Sequence, residues 1–84
     1  MDSKQRKTLQ AIFEKPDRAN IDWKDIVILS VALGAEISEG HDSRMRIALK
    51  DVRAVFHRPH PRNETNKGAV KSVRRFLESA GVKP

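Results

Sequence analysis

The stretch RMRIALKDVRAVFH, residues 44–57, predicts the central hairpin of the fold. Apolar side chains take every second position in its two halves: Met45, Ile47 and Leu49, then Val52, Ala54 and Phe56. A period of two is typical of a strand with one covered face. Lys50 and Asp51 separate the halves and predict a tight turn. The stretch therefore predicts two antiparallel strands that bury one apolar face and expose a basic one.

The segments before the hairpin predict two helices and a further strand. SKQRKTLQAIFEKP predicts a helix that Ser3 caps and Pro16 ends, because proline cannot continue the hydrogen-bond ladder. NIDWKDIVILSVALGAE predicts a second helix, capped by Asp22 and closed by Gly34 in a left-handed conformation. AEIS, residues 35–38, predicts a short strand that the turn GHD joins to the hairpin. These three strands would form an antiparallel meander.

The residues after the hairpin predict one more helix. Its apolar positions fall on one face at helical spacing: Val70, Val73, Leu77 and Ala80. Gly81 then closes it. The elements together predict an α+β fold in the order α-α-β-β-β-α, with helices packed on one face of a three-stranded antiparallel sheet and the other face partly open. We expect one domain over residues 1–84, with a helical part over 1–33 and a βββα part over 35–84.

Composition favours a polyanionic partner. The 84 residues hold 17 Lys and Arg against 11 Asp and Glu, which gives a formal charge of +6 and suits nucleic acid. The chain has no cysteine, so disulfides and thiolate metal sites are excluded. It has no apolar run long enough for a membrane span or a signal peptide. We therefore expect a cytoplasmic protein with no membrane partner.

Basic side chains fall into two groups that could contact phosphates. One group shares the predicted open face of the sheet: Arg44, Arg46, Arg53 and His57. The other recurs at helical spacing opposite the apolar face of the last helix and forms a predicted ridge: Lys67, Lys71 and Arg74. Aromatic stacking platforms are scarce, with no tyrosine in the chain. The pattern favours contacts to backbone and shape over base stacking.

The run HRPHP, residues 57–61, carries the chemistry that the sequence suggests. A neutral histidine beside guanidinium groups can take a proton from a ribose 2′-hydroxyl, while arginine stabilises the charge that develops on phosphorus. The spacing of the histidines does not match a zinc motif, and no metal or cofactor is expected. The alternative is structural: His57 completes the outward face of its strand, and His60 hydrogen-bonds the loop backbone. Residue types and spacing leave both interpretations open.

The C-terminal half resembles HicA-type toxins. In RPHPRNETNKGAVKSVRRFLESAGVKP the shared features are a Pro/His-rich turn at His60-Pro61, a pair at Lys67-Gly68 that opens the last helix, and the close at Ala80-Gly81-Val82. ALGAEISEG resembles the helix-to-strand step of the family, and DSRMRIAL its turn and second strand. The resemblance runs from about Leu29 to the end of the chain, and the first helix is similar to the N-terminal extension of a longer branch.

This resemblance implies a fold like that of double-stranded-RNA-binding domains and a toxin of a bacterial type II toxin–antitoxin system. It further implies a small cytoplasmic, metal-independent ribonuclease that cleaves messenger RNA and is neutralised by a HicB-type antitoxin. An alternative of another class is a non-catalytic module that binds RNA or protein through the same basic surfaces. A third is a structural partner within a larger complex.

One motif departs from the family pattern. Typical members have a Gly-Ser-His turn whose histidine is catalytic, whereas this chain has Asp42-Ser43-Arg44. Arginine cannot act as a general base at neutral pH, though it can hold a phosphate. The catalytic candidates are, in order, His60, His57 and His41, and impaired catalysis is the other account. The predicted RNA contacts are Ser43, Arg44, Arg46, Arg53, Arg58, Lys67 and Lys71.

Overall fold

A computed structural model describes residues 1–40, 44–59 and 64–84 of the chain. Three helices and three strands follow the predicted order: α1 (Ser3–Ile12), α2 (Trp23–Ala32), β1 (Glu36–Glu39), β2 (Arg44–Leu49), β3 (Val52–His57) and α3 (Lys67–Ser79). The α+β fold in the order α-α-β-β-β-α is thereby confirmed. No helix in these ranges has the length and apolar character that a membrane crossing requires.

The sheet is the predicted antiparallel meander, with β2 between β1 and β3. The hairpin stretch has its predicted register, since Met45 lies opposite Phe56 and Ile47 opposite Ala54. Lys50 turns the chain with a φ of 55°, in the left-handed region that tight hairpin turns use. The first strand lies one residue later than AEIS, at Glu36–Glu39, because Glu39 still pairs with Met45.

The first helix begins and ends earlier than predicted. Asp2 is its N-cap: the carboxylate accepts from the Gln5 N–H at 2.8 Å, and the Gln5 side chain accepts from the Asp2 N–H at 3.0 Å. This reciprocal pair needs an acceptor three residues before Gln5, a position that Asp2 holds and Ser3 does not. The helix ends at Ile12, ahead of Pro16, with Phe13 as its C-cap.

The ends of the second helix are as predicted. The Asp22 carboxylate accepts from the Lys24 N–H at 2.9 Å and so caps α2. Gly34 follows the helix with a φ of 96°, which side chains with a Cβ avoid. After this turn and Ala35, β1 begins at Glu36.

The core lies between the three helices and one face of the sheet. That face buries Met45, Ile47 and Leu49, and the helices contribute mainly Leu9, Ile12, Trp23, Ile26, Leu29, Val70, Val73, Phe76 and Leu77. The Phe56 ring lies between those of Trp23 and Phe76, with centroid separations of 6.0 and 5.7 Å. Such tilted and edge-on arrangements add to the burial of the rings. Through the Phe56 ring, α2 and α3 both pack against the same side of β3.

Arg74 lies in this interior and not on the ridge where the sequence places it. It is 8% exposed, donates to the Ile12 carbonyl at 3.4 Å, and pairs with Asp17 at 2.5 Å. The hydrogen bond from Arg74 lowers the pKa of the Asp17 carboxyl, and the nearby charges of Arg74, Lys71 and Lys15 add to that effect against desolvation. Arg74 follows Val70 by four residues and precedes Leu77 by three, so helical spacing places it at the border of the apolar face, and α1 and the segment after it cover that side of the helix.

Thr65 ties the segment before α3 to the segment before α2. Its hydroxyl accepts from the Ile21 N–H at 3.2 Å and donates to the Ile21 carbonyl at 3.0 Å. The Thr65 N–H donates to the same carbonyl at 3.1 Å, and the Asn20 N–H donates to the Thr65 carbonyl at 2.7 Å. Thr65 is only 2% exposed. The chain is therefore held firmly just after residues 60–63.

Candidate functional site

The open face of the sheet carries three rows of side chains, which the register of the strands defines. In the first row Arg44 lies opposite His57. In the second Arg46 lies between Ser38 and Val55, and in the third Ala48 lies between Glu36 and Arg53. Adjacent strands are about 4.8 Å apart, and successive rows are two residues, or about 6.7 Å, apart. The face therefore gathers three arginines and one histidine, as the period-two pattern predicts.

The first row pairs an acid–base group with a cation. Arg44 and His57 are directly opposed residues on neighbouring strands, a position in which Cβ atoms lie about 5 Å apart. Both residues are exposed. An anionic group such as a phosphate can therefore reach the guanidinium and the imidazole together. His57 is the one candidate catalytic histidine among the described residues, and it lies beside a predicted phosphate contact.

Arg58 lies on the other side of the sheet from His57. Its guanidinium donates to the Glu39 carboxylate at 2.6 Å and lies 3.8 Å from the Met45 sulfur. That sulfur also accepts from the Trp23 indole N–H at 3.1 Å, among the helices. The structure thus separates Arg58 from the open-face arginines, and Glu39 balances its charge. Successive residues of a strand point to opposite faces, which explains why sequence neighbours are divided here.

Lys67 and Lys71 form the remainder of the predicted ridge. Both are exposed on α3, whose first turn Asn66 caps by accepting from the Ala69 N–H at 2.7 Å. Because Phe76 of the same helix packs against Phe56, α3 lies on the covered side of the sheet. The two lysines and the open-face arginines are therefore two separate basic surfaces. A polyanion that contacts both must pass around an edge of the sheet.

Three predicted site residues, His60, His41 and Ser43, lie outside the described residues. The described chain approaches them at one end of the sheet, where β1 ends, β2 begins and β3 ends. There the Gly40 N–H donates to the Arg44 carbonyl at 2.9 Å. Across residues 1–40, 44–59 and 64–84, no three histidine, aspartate or glutamate side chains are placed to hold a metal ion.

Two side chains of the open face were absent from the predicted site. Glu36 and Ser38 of β1 join the arginine rows because their neighbour Ile37 packs toward the core. The alternation in GAEISE could have indicated them, once the register of β1 against β2 was known. They supply a carboxylate and a hydroxyl to a face that otherwise carries cations and small or apolar groups.

Comparison with known families gives a match over most of the chain. The profile of the HicA toxin of bacterial toxin–antitoxin systems matches residues 23–82. The chain belongs to the HicA toxin family. The resemblance inferred from the C-terminal motifs is confirmed, and the matched region begins earlier than about Leu29, at the start of α2. Helix α1 and the segment through Asp22 precede the matched region.

Membership makes the protein a toxin of a toxin–antitoxin system, which implies an antitoxin partner. No curated protein and no solved structure matches the chain. Within the HicA match lie all six predicted RNA contacts that the structure describes: Arg44, Arg46, Arg53, Arg58, Lys67 and Lys71.

Proposed function

We propose that this HicA-family toxin is a metal-independent endoribonuclease that cleaves messenger RNA. The observation that supports it most directly is the row on the open sheet face where Arg44 and His57 are directly opposed. HicA toxins are generally ribonucleases, which agrees with the +6 charge of the chain. The proposal includes neutralisation by a HicB-type antitoxin and action in the cytoplasm.

The nucleophile of the proposed reaction is the 2′-hydroxyl of the ribose next to the scissile phosphate. A neutral histidine accepts the proton of the 2′-hydroxyl, and the 2′-oxygen attacks the neighbouring phosphorus. The bond from phosphorus to the 5′-oxygen breaks, and that oxygen takes a proton from a second acid or from water. The products are a 2′,3′-cyclic phosphate and a 5′-hydroxyl. Arginine stabilises the additional negative charge on the phosphorane, which is the role we assign to Arg44.

Three histidines are candidates for the base. His60 ranks first because it matches a recurrent histidine of the family. His57 is second and is the candidate whose place beside Arg44 is described. His41 is third, next in sequence to Asp42-Ser43-Arg44, which replaces the Gly-Ser-His of typical family members.

The proposed RNA contacts comprise the two basic surfaces and two further residues. On the open face they are Arg44, Arg46 and Arg53, and on α3 they are Lys67 and Lys71. Ser43 and Arg58 complete the set. Exposed guanidinium and ammonium groups bind backbone phosphates with release of counterions, so binding should weaken steeply with salt. Arg58 is expected to contribute least, because Glu39 already pairs with it.

A second candidate function is RNA binding without turnover. It is favoured by one observation, the arginine at the position where typical family members carry the catalytic histidine. A binder of this kind would keep the RNA intact and lose little affinity when a histidine is replaced.

The test is cleavage of a long, weakly structured RNA in excess chelator at neutral pH. Alanine variants of His60, His57 and His41 are compared with Lys83→Ala, a control that replaces an exposed C-terminal side chain. We expect the wild type and the control to produce fragments, and the variant of the catalytic histidine to be slower by about 10²- to 10⁴-fold. Intact RNA with the wild type would refute the nuclease and favour the binder. Cleavage at the wild-type rate by all three histidine variants would refute histidine catalysis.

A further inference from the structure

A depression lies on the open sheet face, lined by residues of all three strands. It has a volume of about 550 Å³, within the range of small-molecule sites. The register explains why it is there. Ala48 is the central residue of its row, between Glu36 and Arg53, and Arg46 is the next outward-facing residue on the same strand. A methyl group surrounded by three long polar side chains leaves a hollow with an apolar floor, and Val55, 55% exposed, extends that floor.

The walls of this groove carry charges of both signs. The four ion pairs that the described residues make are Lys4–Asp25, Arg18–Glu14, Arg58–Glu39 and Arg74–Asp17, so none of them engages Glu36, Arg46 or Arg53. Diagonal neighbours such as Glu36 and Arg46 are about 7 to 8 Å apart, which leaves room for a flat ligand between the side chains. The groove therefore presents a carboxylate acceptor facing two guanidinium donors.

This combination selects among the four RNA bases. A carboxylate only accepts hydrogen bonds, and its two oxygens match a base edge with two adjacent donors. Guanine has such an edge, with N1–H and the N2 amine, and on its other edge O6 and N7 accept a guanidinium in bidentate fashion. Adenine, cytosine and uracil each place an acceptor next to their donor on the pairing edge, which would repel the second carboxylate oxygen.

We propose that the groove around Ala48 is a subsite for a guanine base of single-stranded RNA, with Glu36 on its Watson–Crick edge and Arg46 or Arg53 on its O6 and N7. The inference rests on the proposed function, since it names the nucleotide that the RNA brings to the same face. The groove is continuous with the first row, because Arg46 is only two residues from Arg44. A base held there lies next to the phosphate assigned to Arg44 and His57.

The geometry distinguishes this occupant from an apolar protein segment and from a second copy of the chain. An apolar peptide would cover Val55 and Ala48 but would leave Glu36, Arg46 and Arg53 without partners, and desolvating charges in this way is unfavourable. A second copy of this chain would bring together two molecules of +6 charge. A purine satisfies the apolar floor and the polar walls together.

The experiment measures equilibrium binding of short oligouridylates that differ at one central nucleotide: guanosine, inosine, 7-deazaguanosine, adenosine or uridine. The protein variants are the wild type, Glu36→Gln and Glu78→Gln. The last is a matched control with the same change of charge on an exposed site of α3. Circular dichroism confirms that each variant is folded. Cleavage of the same oligonucleotides in chelator is recorded separately.

We expect the wild type to bind the guanosine oligonucleotide about fivefold or more tightly than the adenosine and uridine ones. The inosine oligonucleotide, which lacks the N2 amine, should bind the wild type less tightly than the guanosine one. In Glu36→Gln the inosine and guanosine oligonucleotides should bind equally. The 7-deaza base should lose the contribution of N7. Glu36→Gln should abolish most of the guanine preference, whereas Glu78→Gln should keep it.

Each result decides between the two proposals. Guanine preference in binding without cleavage supports the subsite and refutes the nuclease. Cleavage with equal binding of all five oligonucleotides refutes the subsite and leaves the nuclease standing. A preference that Glu36→Gln retains overturns the assignment of Glu36, and no measurable RNA binding overturns the subsite altogether.

Discussion

Replacing Thr65 with valine tests how firmly the segment before α3 is attached. Valine has nearly the same shape as threonine, so the change removes the hydroxyl and leaves packing almost intact. In the structure that hydroxyl accepts from the Ile21 N–H and donates to the Ile21 carbonyl. The carbonyl keeps a donor in the variant, because the Thr65 backbone N–H also binds it at 3.1 Å. The Ile21 N–H has no second acceptor among the described residues.

The expected cost is therefore that of one orphaned buried donor. Ile21 is 7% exposed and Thr65 is 2% exposed, so water does not readily replace the hydroxyl. An unsatisfied buried N–H costs about 1–3 kcal/mol, and we expect the free energy of unfolding to fall by about 2 kcal/mol. For a domain of this size that corresponds to a decrease in Tm of about 8–16 °C.

The measurement is urea unfolding and thermal unfolding of Thr65→Val beside Thr8→Val. Thr8 is a matched control, since its hydroxyl only donates to the Lys4 carbonyl within α1 at 3.0 Å. Its replacement leaves no donor unpaired, and we expect a change below about 0.5 kcal/mol. If Thr65→Val were as stable as Thr8→Val, the bonds between Thr65 and Ile21 would not hold the segment as we argue.

Three further predictions concern charge, salt and packing. Asp17→Asn should lower the free energy of unfolding at neutral pH. Because the folded pKa of Asp17 is lowered below 3.8, the difference in stability between variant and wild type should be complete above about pH 5 and should shrink as acid protonates the carboxylate. Urea unfolding across this pH range measures it. Arg44→Ala should weaken RNA binding and reduce the slope of log K against log salt by about 0.7, whereas Arg18→Ala, whose charge already pairs with Glu14, should leave the slope unchanged. Leu77→Ala, at a site 1% exposed, should lower the free energy of unfolding by about 2–5 kcal/mol, and a smaller loss in chemical denaturation would contradict the described core.

The candidate site was predicted unevenly, and the reasons are physical. The open-face group of Arg44, Arg46, Arg53 and His57 follows from strand alternation, and the structure brings these residues together. Arg58 was predicted to contact RNA as part of the HRPHP run, yet its guanidinium lies on the opposite side of the sheet from His57, where Glu39 pairs with it. Glu36 was missed because its place beside the arginines depends on how β1 pairs with β2, which the short strand alone does not specify.

Local sequence patterns were sufficient for the type and order of the elements and for the bounds of the central hairpin. The period of two in residues 44–57, with Lys50–Asp51 between its halves, predicts both strand bounds and the face that is buried, because each property depends on neighbouring residues. The caps at Asp22 and Gly34 are equally local. Arg74 and Thr65 are different, since their partners Asp17 and Ile21 lie 57 and 44 residues away along the chain. Contacts between such distant residues form only when α1 and the segment that follows it pack against α3, so the tertiary structure alone decides which groups this arginine binds and that this threonine joins the two segments.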